Sequence, residues 1–169
     1  DFYNLTRRVI EQSRTKEITV EDEIETLKLY MILEQLRTSN KFSYTIEVDS
    51  QIDKEHVFIP PMVLQPFVEN AIWHGIQPKE GPGIVNIRFE LANGEKILCI
   101  IDDNGVGRKF HEDLRNEYQD EQVSYSTEII RDRIEILSND RQTNLKIIDK
   151  DGPNGEPTGT KVEVYFNQK

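Results

Sequence analysis

One stretch of the chain, residues 84–103, limits the possible folds more than any other. It reads IVNIRFELANGEKILCIIDD, two runs of apolar and β-branched residues on either side of the pair Asn93-Gly94. Asparagine followed by glycine favours a tight hairpin turn, because both residues tolerate the left-handed backbone that such a turn needs. We therefore predict two antiparallel strands here, and a fold built around a β-sheet.

Helices and further strands are predicted on both sides of this hairpin. Amphipathic patterns predict helices at 1–14, at 21–42 with Thr19 or Glu21 opening it, from Ile59 to about His74, and at 128–139. The helix at 21–42 would pack through Ile24, Leu27, Tyr30, Met31 and Leu36. Strands are predicted at 42–50 and on either side of a glycine- and proline-rich turn within 145–166. This order predicts an α+β two-layer sandwich, a mixed β-sheet covered on one face by about three helices.

The composition excludes several classes of function. A net charge of -10 disfavours nucleic acid or an anionic membrane as the main partner. The single cysteine, Cys99, excludes an internal disulfide and fits a reducing compartment. No apolar stretch approaches the ~20 residues that a membrane helix needs. The N-terminal DFYNLTRRVIEQ lacks the apolar segment of a signal peptide and suggests a cut inside a longer protein.

The first motif with chemical content is LQPFVENAIWHG at 64–75. On an α-helix, Pro66, Asn70 and His74 would share one face. The Asn70 amide oxygen can ligate a hard cation such as Mg²⁺, and His74 can donate a hydrogen bond to a phosphate. The alternative is a surface amide and a histidine favoured by the helix dipole.

The second motif is IIDDNGVG at 100–107, where an apolar strand ends in Asp103. A buried aspartate at a strand end can accept a hydrogen bond from the amino group of a purine. Gly105 and Gly107 permit positive φ and let a flat ligand approach the backbone. An ordinary Asp-Asn-Gly turn is the alternative.

Together with GTKVEVYF at 159–166, the two motifs resemble the ATP-binding domain of sensor histidine kinases. More narrowly, EDEIETLKLYMILEQLR at 21–37 and PPMVLQPFVENAIWHG at 60–75 are similar to the LytS-type branch. The resemblance covers nearly the whole chain. It implies the Bergerat fold, shared with gyrase, Hsp90 and MutL, with ATP held between helices and a flexible lid.

At the base end of the site, the resemblance implies that Asp103 recognises the adenine amino group. Gly105 and Gly107 would line the base and the start of the lid. Thr160 would join the hydrogen bonds around the aspartate.

At the phosphate end, the resemblance implies that Asn70 ligates Mg²⁺ and that His74 contacts a phosphate. Glu69 would polarise a water or assist transfer. The family's second glycine box, GxGL, is replaced here by Ser-Tyr-Ser-Thr at 124–127. Ser126 and Thr127 would either hold phosphates or cap the following helix.

The implied function is that of a protein-histidine kinase, cytoplasmic and part of a bacterial plasma-membrane sensor. Residues 1–16 would be the remnant of the dimerisation helix and linker, and 17–169 the ATP-binding domain. The family's phosphoaccepting PHFLFN-like motif does not occur in the chain. The γ-phosphate of ATP would therefore pass to a histidine in an absent segment of a homodimer, and then to a response regulator. Pro66 stands where hydrolysing relatives carry a glutamate base, which favours transfer over hydrolysis.

Two other functions stay open at this point. The altered glycine box fits a non-catalytic module that relays conformation. A serine kinase of the anti-sigma type is a third possibility, against which the acidic LEQLR helix argues.

Overall fold

A computed structural model of the 169-residue chain describes residues 7, 12, 15–94, 96–108, 110 and 145–167. In chain order its elements are β1 (Ile18–Thr19), α1 (Val20–Arg37), β2 (Phe42–Val48), β3 (Phe58–Ile59), α2 (Gln65–Asn70), a π-helical segment (Ala71–Ile76), β4 (Gly83–Ala92), β5 (Lys96–Asp103), β6 (Leu145–Asp151) and β7 (Pro157–Asn167).

Five of the strands form one sheet in the order β2-β4-β5-β7-β6. The pair β2-β4 is parallel and the other three pairs are antiparallel, so the sheet is mixed. The short strands β1 and β3 pair separately. The described helices cover one face of the sheet, which confirms the predicted α+β fold.

The core lies between that face and the helices. Every second residue along the central strands is buried, because successive strand residues point to opposite faces. The sheet contributes Val85, Ile87, Phe89, Ile97, Cys99, Ile101, Val162, Val164 and Phe166, and the helices contribute Ile24, Leu27, Met31, Phe67, Val68 and Ile72. The layer between sheet and helices is therefore mainly apolar, and α1 also buries the polar residues Glu23, Thr26 and Glu34.

Helix α1 begins where the sequence predicted and ends earlier. The Thr19 hydroxyl caps it by accepting a hydrogen bond from the Asp22 N–H at 3.1 Å. The helix stops at Arg37 because Ser39 and Asn40 adopt left-handed φ values of 52° and 57°. The prediction that Leu36 packs against the core is wrong, since its side chain is 66% exposed.

Helix α2 was predicted too long at its start. Ile59 pairs with Ile18 in the short β1-β3 ladder, and the helix begins only at Gln65. A residue before proline avoids helical backbone, so Pro60 and Pro61 extend the chain instead of starting a helix. Pro66 then occupies the first turn, where a missing N–H costs nothing.

The end of the same helix also differs from the prediction. After Asn70 the chain widens into the π-helical segment, which runs through Gly75 to Ile76. The Gln77 N–H bonds to the Ile72 carbonyl at 2.8 Å, five residues back.

The hairpin predicted at 84–103 is confirmed. Asn93 and Gly94 have φ values of 54° and 74°, and Ala92 pairs with Lys96 across the turn. The strands predicted at 42–50 and within 145–166 are also present. The helix predicted at 128–139 and most of the one predicted at 1–14 lie outside the described residues. No helix in the part of the chain described is long and apolar enough to cross a membrane.

Candidate nucleotide-binding site

The two sequence motifs meet in the folded chain. The Val106 N–H donates to the Gly75 carbonyl at 2.9 Å. A Cβ on Gly105 would lie 2.3 Å from the Gly75 carbonyl carbon, and one on Gly75 would lie 2.9 Å from Asp103 Oδ1. Only glycine permits this approach, so the contact joins the end of the Asn70 motif directly to the Asp103 loop.

Asp103 is the buried acid of the site. It ends β5 with 4% of its surface exposed, and its Oδ1 accepts a hydrogen bond from the Gly105 N–H at 2.7 Å. Burial raises its pKa to about 6, while the main-chain N–H groups of Gly105 and Thr160 and the charge of Lys150 oppose that rise. With this pKa the side chain is mainly a carboxylate at neutral pH, and it accepts hydrogen bonds.

Strand β7 comes close to the same carboxyl through its main chain. The Thr160 N–H faces the Asp103 carboxyl, so the group that acts on the aspartate is the amide. Beside it, Gly159 has φ 127°, and a Cβ there would lie 2.0 Å from the Asp103 carbonyl oxygen. Gly107, with φ 73°, packs against Pro157. These glycines allow the backbone of β7 and that of the loop after β5 to come into contact around Asp103.

The helix side of the site is more open. Asn70 is the last residue of α2 and is half-buried, while Glu69 is exposed. His74 is exposed and lies in the π-helical segment, where the four-residue spacing of an α-helix no longer holds. Its spacing from Asn70 therefore does not by itself place the two side chains on one face. The roles assigned to Glu69, Asn70 and His74 stay predictions.

No group of three or more histidine, cysteine, aspartate or glutamate side chains that could hold a metal occurs among the described residues. A single amide ligand completed by water and phosphate oxygens, as predicted for Asn70, needs no such group. Ser126 and Thr127, the predicted phosphate contacts, lie outside the described residues.

Three cations surround the loop, and sequence reasoning missed the roles of two of them. Lys150 Nζ donates to the Asp103 carbonyl oxygen at 2.9 Å and bonds to Asp102 Oδ1. Lys79 Nζ donates to the Asn104 carbonyl oxygen at 2.7 Å. These contacts are made over long sequence separations, so no local pattern signals them.

Arg108 is the third cation, and by sequence it and Lys109 are candidate cations for the phosphates of a nucleotide. The structure directs its guanidinium to Asp149, with Nε and Nη2 each 2.7 Å from a carboxylate oxygen. Lys109, suggested for the same role, lies outside the described residues.

Comparison with known proteins finds similarity to sensor histidine kinases. No protein-family model matches the chain. It is 33% identical over 109 residues to the sensor histidine kinase YpdA of Escherichia coli, covering 63% of this chain and 19% of YpdA. It is 33% identical over 101 residues to the sensor protein LytS of Staphylococcus haemolyticus, covering 60% of this chain and 17% of LytS. The chain is similar to LytS and to other sensor histidine kinases.

Solved histidine kinases share the fold of this chain. The histidine kinase domain of the Erythrobacter litoralis EL346 blue-light activated kinase matches 89% of this chain and 61% of its own, with a TM-score of 0.58 and 16% identity. Histidine kinase ThkA, in complex with the response regulator TrrA, matches 99% of this chain and 47% of its own, with a TM-score of 0.56 and 14% identity. At such identities the likeness shows the fold alone. The chain spans about a fifth of the length of the curated relatives it matches.

Proposed function

We propose that this domain binds ATP with Mg²⁺ and presents the γ-phosphate to a histidine outside the chain. The observation that carries the proposal is the buried Asp103 carboxylate, fixed by the Gly105 N–H and touching the glycine that ends the Asn70 motif. A desolvated carboxylate is a selective acceptor for an amino group, because leaving either partner unpaired is costly.

At the phosphate end, we propose that Asn70 supplies one oxygen to Mg²⁺ and that phosphates and water supply the rest. Its half-buried place at the end of α2 fits a metal that keeps several waters. Bound Mg²⁺ would neutralise phosphate charge. Glu69 would polarise a water or assist transfer, His74 would contact a phosphate, and Ser126 and Thr127 would hold phosphates at a helix start.

We further propose that the domain works by phosphoryl transfer and not by hydrolysis. Pro66, one turn before Asn70, has no group that can take a proton from water. Transfer needs mainly positioning and neutralisation of charge, which the remaining residues can supply.

The partners follow from the same proposal. The phosphoacceptor helix would belong to the same protein, with residues 1–16 as its remnant, and the full protein would be a homodimeric membrane sensor with this domain in the cytoplasm. A response regulator would then receive the phosphate. The fold shared with ThkA, which was solved with its response regulator, supports this partner class.

Calorimetric titration of residues 1–169 with ATP and ADP, each with Mg²⁺ or with EDTA, tests binding. We expect saturable binding that Mg²⁺ strengthens, and Asn70→Ala should remove only the Mg²⁺ dependence. Asn86→Ala is a matched control, because Asn86 bonds to Thr45 between β2 and β4. Absence of heat and of a thermal shift at saturating nucleotide would refute the proposal. Unchanged Mg²⁺ dependence in Asn70→Ala would refute the metal assignment.

A conformational relay without catalysis is the second candidate, favoured by one observation. Both glycines of the second glycine box are replaced at 124–127. The full-length protein distinguishes the two functions: transfer of labelled γ-phosphate to its own histidine supports the kinase, while nucleotide binding without transfer supports the relay.

A further inference from the structure

Near Asp103, Lys150 makes two specific contacts that the family resemblance does not explain. It lies on β6, which is separated from β5 by β7. Its ammonium nevertheless donates to the Asp103 carbonyl oxygen at 2.9 Å and bonds to the Asp102 carboxylate. One cation therefore ties together the last two residues of β5.

Gly159 makes this reach possible. It is the residue of β7 that pairs with Lys150, and it carries no side chain to block the path toward β5. The β5 backbone also comes closest at this point, since a Cβ on Gly159 would lie 2.0 Å from the Asp103 carbonyl oxygen. Lys150 and Gly159 are thus paired across the β6-β7 ladder, and the absence of a side chain on Gly159 leaves room for the lysine.

We propose that Lys150 is a positioning residue for the recognition of a 6-amino purine. It fixes the end of β5, and its charge keeps the neighbouring Asp103 side chain as a hydrogen-bond acceptor. This role rests on the proposed function, because it presumes that Asp103 meets the base of a bound nucleotide.

The chemistry of the base makes the charge state of Asp103 decisive. A carboxylate accepts from the 6-amino group of adenine and repels the 6-oxo group of hypoxanthine. A neutral carboxyl can instead donate its proton to that oxygen. A loss of charge on Asp103 therefore weakens adenine binding and reduces the preference for adenine over hypoxanthine.

The charged groups that act on the Asp103 carboxyl are Lys150 from β6, which lowers its pKa, and Asp102 from β5, which raises it. Strand β7 presents the Thr160 amide there, and the next cation along that strand, Lys161, pairs with Glu163 at 2.8 Å. The π-helical segment presents the main chain of Gly75. Since burial already raises the pKa of Asp103 to about 6, removal of the Lys150 charge moves the titration toward neutral pH.

The first test uses the protein without nucleotide. ¹³C NMR of aspartate-labelled protein follows the Asp103 carboxyl through a pH titration in wild type, Lys150→Met and Lys150→Arg. We expect Lys150→Met to raise the Asp103 midpoint by about half a unit or more, and Lys150→Arg to keep it near wild type. Lys146→Met is the matched control, because Lys146 lies on the same strand and faces the Tyr165 ring.

The second test compares ADP with inosine diphosphate by calorimetry between pH 6 and pH 8.5. We expect Lys150→Met to weaken ADP binding by about two- to fivefold at pH 6 and by less than about twofold at pH 7, because a raised pKa leaves more of Asp103 neutral. The preference for ADP should narrow most at low pH and recover at pH 8.5. Lys150→Arg should restore it, and Lys150→Gln replaces Lys150→Met if the latter does not fold.

The outcomes separate the two proposals. If wild type binds ADP while Lys150→Met leaves both the Asp103 midpoint and the base preference unchanged, the role of Lys150 is overturned and the proposed function stands. A loss of affinity that is equal for both nucleotides at every pH also overturns it, since that is the signature of a purely structural residue. If wild type binds neither nucleotide, the proposed function itself fails, and the role in base recognition fails with it.

Discussion

Two buried carboxyl groups, Glu23 and Asp103, differ in what surrounds them. Their exposed fractions are 1% and 4%, and burial raises their pKa values to about 7 and about 6. Asp103 accepts a short hydrogen bond from Gly105. Neither Glu23 oxygen has a hydrogen-bond partner among the described residues. The N–H groups of Met62 and Leu64 lie close enough to lower the Glu23 pKa but do not reach hydrogen-bond geometry.

Burial raises both pKa values, from ordinary values of 4.5 for Glu23 and 3.8 for Asp103, so what distinguishes the two acids is the hydrogen-bond partners around them. Asp103 lies at a strand end enclosed by glycine backbone, so it keeps its charge near neutral pH and can recognise a ligand. Glu23 lies under the start of α2, whose N-cap residue Leu64 has no side-chain cap. The charge of Glu23 at this helix start depends on pH. The free energy of unfolding should therefore depend on whether Glu23 is protonated.

The largest effect should come from a substitution that disrupts the close backbone contacts around Asp103. A Cβ on Gly105 would lie 2.3–2.5 Å from backbone atoms of Gly75, which cannot move aside. Gly105→Ala should lower the free energy of unfolding by about 3 kcal/mol or more, as measured by urea denaturation. Gly81→Ala is the control for backbone strain alone, since Gly81 has a φ of 79° with open space around it, whereas Gly105 does not have a positive φ. Gly81→Ala should cost only about 1 kcal/mol. A loss in Gly105→Ala no larger than that of Gly81→Ala would mean that the contact with Gly75 does not matter.

The next effect concerns Glu23 and pH. Its pKa is about 7 in the folded state against 4.5 ordinarily, so its favourable contribution is complete below pH 4.5 and is lost as the pH rises to 7. Between pH 5 and pH 8, wild type should lose about 2–3 kcal/mol of stability through this group, and Glu23→Gln should not. Urea denaturation across this range measures the difference. The exposed Glu55 provides the control, as Glu55→Gln should follow wild type. Parallel pH profiles for wild type and Glu23→Gln would contradict the assignment.

A change at Asp103 should affect the ligand more than the fold. In Asp103→Asn the amide oxygen can still accept from Gly105, but the NH₂ group opposes the amino group of adenine. ADP affinity should fall by about 100-fold, or about 2.7 kcal/mol, in calorimetric titration. Glu23→Gln should leave ADP affinity near wild type. A similar loss of ADP affinity in Asp103→Asn and Glu23→Gln would show that the two acids do not differ in their role in ligand binding.

The smallest effect should come from the ion pair between Arg108 and Asp149, whose side chains are 49% and 31% exposed. Arg108→Met should cost about 1 kcal/mol or less, and the difference should shrink in 1 M salt. Stability measured at low and high salt tests this. A loss above about 2 kcal/mol that persists in salt would show that surface charge, and not glycine backbone, holds the loop.

Local signals in the sequence predicted part of this structure. The Asn93-Gly94 turn was predictable because its conformation is a property of the two residues themselves. Asp103 and Gly105 were predictable because strand end and glycine spacing are adjacent in sequence. The family resemblance joined that motif to the Asn70 motif, which no periodicity could do.

The features that sequence did not predict depend on distant contacts. Pro60 and Pro61 fit a helix start locally, yet Ile59 is held extended by Ile18. Glu23 has the pattern of an exposed first-turn acid of α1, yet it is buried, with the main chain of Met62 and Leu64 close to it. Lys150 is an ordinary strand lysine until the sheet brings β6 over Gly159.

The π-helical segment also bears on how related sequences should be aligned. A π-helical turn differs from an α-helical one by one inserted residue, so Ala71–Ile76 carries one residue more than a regular helix over the same length. The Gly75 carbonyl, which lies in this segment, accepts the hydrogen bond from the Val106 N–H. Deleting one residue between Asn70 and Gly75 would restore a regular helix and rotate that carbonyl away. In an alignment of related sequences, a gap between Asn70 and Gly75 therefore indicates a different contact between the Asn70 motif and the Asp103 loop.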